Sequence, residues 1–188
     1  MSQLLLIRYG VVPEVSRFAH ELADLPGRHE RVVIATHRGL QLGTVLEVLR
    51  PKPAGAHSEN AADPDPPVTA TDPAEPRVLR RATPEDEVRH TDLQLEAQRM
   101  FADWQTRIRD WKLDFELIDL EWTLDRQKLI LYVLGAAGPD ITRLALLAAG
   151  VGPTVVEVQP VNAQGPVAML SGAEHGCGTG GCGCHDNH

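Results

Sequence analysis

Residues 51–76 read PKPAGAHSENAADPDPPVTATDPAEP and hold seven of the protein's 14 prolines, with almost no large apolar side chain. Such a stretch buries too little surface to offset its ordering entropy, so it reads as a Pro/Ala-rich disordered linker carried in a surface loop. Insertions of this kind add little loop-closure entropy and leave a fold standing. The core must then be assembled from residues 1–50 and 77–165, with 166–188 forming a Gly/Cys/His-rich tail. A chain of 188 residues has room for one domain with an insertion, not for two full domains.

In the first part, residues 3–9, 31–36 and 42–49 are rich in β-branched and aliphatic side chains and bounded by turn signals, which predicts three strands. Arg38-Gly39 makes a tight connection between the second and third, and Gly43 marks a bulge or a close backbone approach. Residues 15–25 form either one or two helical turns or an irregular excursion.

In the second part, Thr83-Pro84-Glu85-Asp86 opens a helix: a hydroxyl cap, proline at the first helical position, and carboxylates where the macrodipole favours them. Leu93, Ala97, Met100, Phe101, Trp104, Ile108 and Trp111 continue it as one apolar stripe to about residue 112. Residues 115–122 and 128–134 form a hairpin, 141–149 a short buried helix closed by Gly150, and 154–158 a last strand. The fold class is α+β: a small antiparallel β lobe plus a helix-strand-strand-helix-strand lobe of ferredoxin-like flavour.

The formal charge of −8 repels nucleic-acid backbones, which disfavours a general nucleic-acid binder. The longest apolar run, 144–151, is far shorter than the roughly 20 residues of a membrane helix, and the expectation is a soluble, unsecreted, cytoplasmic protein. Sequence signatures of enzymes are scarce, with no Walker loop, nucleophile elbow or H-E-x-x-H. His37 and Arg38 read as a solvated turn pair, and Asp119 and Glu121 as a solvent-facing or arginine-paired strand edge. Asp125 and Arg126 organise the hairpin turn.

The sharpest chemical signal is the tail. All three cysteines, Cys177, Cys182 and Cys184, fall in the last 12 residues beside His175, His185 and His188. A disulfide framework would staple distant parts of the chain, so this clustering points instead to a metal or redox site. Thiolates and imidazoles ligate zinc and iron-sulfur clusters, and His185 can complete a site of Cys177, Cys182 and Cys184. The alternative is a thiol-based redox or metal-transfer protein, although no basic residue in the tail lowers a thiol pKa.

Two blocks carry a family likeness. Thr36-His-Arg-Gly39-Leu-Gln-Leu-Gly43-Thr-Val45 and Ile118-Asp-Leu-Glu121-Trp-Thr-Leu-Asp125-Arg126-Gln-Lys128-Leu-Ile-Leu-Tyr132 resemble the bacterial polymerase-suppressor C-terminal domain family, with its YaaT- or RicT-like members. The family pattern is R-G-x-E-x-G-x-V, then D-x-E-x-T-F-D-R-x-K-x-x-F-Y. This chain departs from it at Gln41, where the pattern has Glu, and at Leu124, where it has Phe. Cys177 and Cys182 fit the first two cysteines of the family's C-G-R-x-x-C-C, while Cys184 stands one residue beyond the third. The resemblance implies a non-enzymatic scaffold or adaptor that joins small protein partners in a cytoplasmic complex acting with a ribonuclease on messenger RNA maturation. It also implies an associated iron-sulfur cluster.

Overall fold

The computed structural model describes residues 3–49, 76–135 and 138–167. The described residues are α+β, with two sheets and two helices. The first sheet is a closed barrel of β1 (Gln3–Tyr9), β2 (Glu14–His20), β3 (Arg31–Thr36), β4 (Gly39–Leu49) and β5 (Arg77–Arg81), in the order β1-β2-β5-β3-β4. The eleven residues of β4 pair with both β3 and β1, and a register shift beside Leu6 and Ile7 lets that long strand bend around the barrel. Leu5, Ile7, Phe18, Val32, Ile34 and Val45 fill the interior without exposure, and Tyr9 meets Phe18 edge to face at 5.4 Å.

Gly43 is the close approach its position suggested, since a Cβ there would sit 2.5 Å from Ile7 Cγ2. Residues 15–25 correct the expectation of helical turns or an irregular excursion, because most of them lie in β2. The lobe also gains β5, which runs antiparallel to β3 and parallel to β2. This strand follows the insertion in sequence yet closes the barrel that precedes it.

Immediately after β5 the chain turns into α1 (Pro84–Asp110). Thr83 caps it in a reciprocal box: the Asp86 N–H donates to Thr83 Oγ1, and the Thr83 N–H donates to Asp86 Oδ2 at 2.8 Å. The second sheet then forms from β6 (Glu116–Trp122), β7 (Lys128–Leu134), β8 (Val155–Asn162) and β9 (Gly165–Pro166), in that order. β7 and β8 are parallel, with α2 (Pro139–Ala149) in the connection between them, while the other pairs are antiparallel.

Leu93, Ala97, Trp104 and Ile108 of α1 and Ile141, Leu144 and Ala148 of α2 pack on Leu117, Leu129, Leu131, Val133 and Val158, which covers one face of this sheet. The opposite face, through Ile130, Tyr132 and Val161, meets Val11 and Val12 from the corner between β1 and β2. β7 is therefore buried on both sides, which is why KLILYVL reads as an almost unbroken apolar run. Among the described residues no helix is long and apolar enough to cross a membrane.

Candidate functional site

Where the barrel meets the open face of the second sheet, six polar side chains from five strands and one turn converge. Glu14 comes from β2, Arg38 from the β3–β4 turn, Gln41 from β4, Glu121 from β6, Tyr132 from β7 and Gln159 from β8. Arg38 is 2% exposed, so it is not the solvated turn residue expected; only its neighbour His37 faces solvent. The β3–β4 turn directs the two side chains apart, with Gly39 at φ 129° and the Arg38 N–H donating to Thr36 Oγ1 at 3.2 Å. No side chain fits at residue 39 without a shift, because a Cβ would lie 3.0 Å from Thr123 Cγ2 of the other lobe.

The guanidinium of Arg38 pairs through Nη1 with Glu14, and through Nη2 donates to Gln159 Oε1 at 3.0 Å. It also lies 5.9 Å from the centroid of the Tyr132 ring. Its Nε has no hydrogen-bond acceptor among the described residues. Gln159 in turn donates to the carbonyls of Pro160 and Val167, which fixes the orientation of its amide.

Glu121 is the second pole. Its carboxylate accepts from Tyr132 Oη at 2.6 Å, from Gln41 Nε2 at 3.1 Å and from the Val11 N–H at 3.2 Å. The expectation of a solvent-facing or arginine-paired edge is thus corrected: Glu121 is buried and its partners are neutral donors. Asp119, two residues earlier on the same strand, does not join it: its Oδ1 accepts from the Leu120 N–H at 2.8 Å. The departure at Gln41 now has a physical reason. Its amide oxygen accepts a hydrogen bond from Thr36 Oγ1 at 2.9 Å while its NH2 donates to Glu121, a donor that an ionised glutamate could not supply.

The proton positions follow from these contacts. Burial first, and the Glu121 carboxylate second, raise the Tyr132 phenol far above its ordinary range. Burial opposes the charge on Arg38, but its hydrogen bond to Glu14 and the charge of that carboxylate outweigh it, so its pKa shifts upward. Tyr9, whose hydroxyl points at Glu14 at 3.4 Å, is raised by burial and by that carboxylate. The cluster thus holds a charged guanidinium and a protonated phenol fixed between the two lobes.

The remaining residues singled out in the sequence separate into two groups. Asp125 Oδ1 accepts from the Thr123 hydroxyl at 2.6 Å and the Gln127 N–H at 3.1 Å, and Arg126, at φ 60°, reaches Glu96 of α1 at 2.6 Å. Both organise the β6–β7 turn as expected, and Lys128 pairs with Glu157 at 2.6 Å across β7 and β8. Cys177, Cys182, Cys184 and His185 lie outside the described residues. Among the described residues no three His, Cys, Asp or Glu side chains group as metal ligands. The sequence alone does not single out Glu14, Gln41, Tyr132 or Gln159 as site members, and it reads Arg38 as a solvated turn residue and Glu121 as a solvent-facing or arginine-paired edge. The available signal was Glu121 interrupting the apolar run of Leu120 and Trp122, one diagonal step from Tyr132 across the hairpin.

Fold and cluster together define a two-lobed α+β protein, with a β-barrel pinned by a buried polar junction to a helix-backed sheet. Residues 76–144 match the family model described as the PSP1 C-terminal conserved region, and the chain carries that region from β5 into α2. Strands β1 to β4, and with them Glu14, Arg38 and Gln41, precede the matched segment. No curated protein and no solved structure matches the chain.

Proposed function

We propose that this protein is a non-enzymatic scaffold that holds small protein partners in a cytoplasmic complex influencing ribonuclease-dependent RNA maturation. In this reading Cys177, Cys182, Cys184 and His185 add an iron-sulfur or zinc site. The observation that carries it is the inward direction of the polar junction. Arg38, Glu14, Glu121 and Tyr132 answer one another and hold the two lobes in one orientation, as a platform for partners requires. The PSP1 region and the resemblance of the residue 36–45 and 118–132 blocks support the assignment to a regulatory complex.

The test removes the chain from its native cell and restores either the wild type or Cys177→Ser. Processing intermediates of polycistronic messages are mapped by their ends, and iron, acid-labile sulfide and zinc are measured on the purified protein with its partners. The scaffold reading expects unprocessed messages to accumulate without the chain. It also expects metal and partner retention to fall in Cys177→Ser while the fold persists, since the tail lies beyond the core elements. Normal message ends without the chain, or thiol-disulfide cycling by the isolated protein, would overturn it.

A further inference from the structure

A second polar site lies on the other side of the corner between β1 and β2. There the barrel and α1 enclose a cleft of about 300 Å³, lined by the polar side chains of Arg8, Arg31, Thr44, His90 and Gln94 and by residues 9–11, 13 and 42. Its donors outnumber its acceptors. Arg31 donates through Nε to Glu87 at 3.1 Å and through Nη1 to Thr44 Oγ1 at 3.1 Å, which leaves Nη2 and the Thr44 hydroxyl proton without an acceptor among the described residues. Among the described residues the guanidinium of Arg8, the imidazole of His90 and the amide of Gln94 have no hydrogen-bond partner.

Two carboxylates stand nearby. Glu87 is engaged by Arg31, and Glu121 lies behind the wall, where it accepts from Val11, Gln41 and Tyr132. Neither satisfies the donors that face the cleft. Burial, and then the Arg31 charge, lower the His90 pKa, so the imidazole is neutral near pH 7 and presents one N–H. The surrounding lobe is basic even though the chain is not: residues 3–49 and 77–81 hold eight arginines against five acidic side chains.

We propose that this cleft binds a phosphate group, carried by inorganic phosphate or by a phosphomonoester no larger than a mononucleotide. Donors from β1, β3, β4 and α1 converge from several directions, which suits the tetrahedral oxygens of phosphate better than the two coplanar oxygens of a carboxylate. The volume lies at the small end of ligand sites, which sets the limit on the ligand.

The experiment titrates the full chain with inorganic phosphate and with adenosine monophosphate at constant ionic strength. Calorimetry gives the affinity, and the His90 ring and arginine Nε resonances report the location. Saturable binding of phosphate with shifts at His90 is the expected result. Arg8→Gln, at an exposed side chain, should leave the melting temperature unchanged and weaken binding by about tenfold or more, the weight of a charge-assisted hydrogen bond. Arg77→Gln, a barrel arginine outside the cleft lining, should bind as the wild type does. Tighter binding of the nucleotide than of phosphate assigns the source to a phosphomonoester, and binding of phosphate alone assigns it to the free ion; either supports the site. No saturation by either probe at millimolar concentration, or equal affinity in Arg8→Gln, overturns it.

Discussion

Arg38 and Tyr132 hold the junction between the lobes in different ways, and substitutions at the two should fail differently. Arg38→Met preserves much of the aliphatic stem but leaves Glu14 and the Gln159 amide oxygen without their donor. Removing one partner of a largely buried ion pair typically costs about 3 kcal/mol. A urea midpoint within error of the wild type would show that the pair contributes nothing. Tyr132→Phe keeps the packing and deletes one hydrogen bond to a carboxylate, an expected loss of about 2 kcal/mol at neutral pH. Its pH dependence has a definite sign. The native phenol keeps its proton well above the unfolded value of about 10, so its contribution is whole below that pH and declines as pH rises beyond it. The gap between wild type and Tyr132→Phe should therefore narrow above pH 10, as followed by denaturant unfolding across the alkaline range.

At the scale of elements, β5 and α1 are joined by a short clamp. Arg80 of β5 pairs with Asp86, the same carboxylate that closes the capping box with Thr83. Asp86→Ala should lose both, about 1–2 kcal/mol in thermal or denaturant unfolding. The Arg80 hydrogen bond is the main cause holding the Asp86 carboxyl below its usual range. That stabilisation is present above the ordinary carboxyl pKa and is lost as pH falls through the depressed one, so the deficit of the variant should shrink in acid.

The helix start and the stripe of α1 were legible because cap, proline and periodicity all agree locally, and β7 because it is apolar on both faces. β2 and β5 were not. Of EVSRFAH only Phe18 and His20 are buried, with Val15 51% exposed, and of RVLRR only Val78 turns inward. The polar junction was illegible for a different reason. Gln41 lies 80 residues from Glu121, and Arg38 lies 121 from Gln159, so each looks like an ordinary surface residue until the lobes meet.

At the scale of the whole molecule, the second sheet has helices on one face and the barrel on the other, with Ile130 and Tyr132 fully buried between them. Unfolding either lobe would bare the apolar surface the two share, Ile130, Tyr132 and Val161 against Val11 and Val12. The protein should melt in one transition, with calorimetric and van't Hoff enthalpies in agreement. Two resolved transitions would show that the junction does not couple the lobes. The same architecture has a consequence for biosynthesis. Strands β1 to β4 leave the ribosome as an open sheet, with β2 and β3 each missing a neighbour, until Arg77–Arg81 emerges beyond the insertion. For that interval the nascent chain displays two bare backbone edges, and its safety from mispairing depends on how fast the next thirty or so residues are translated.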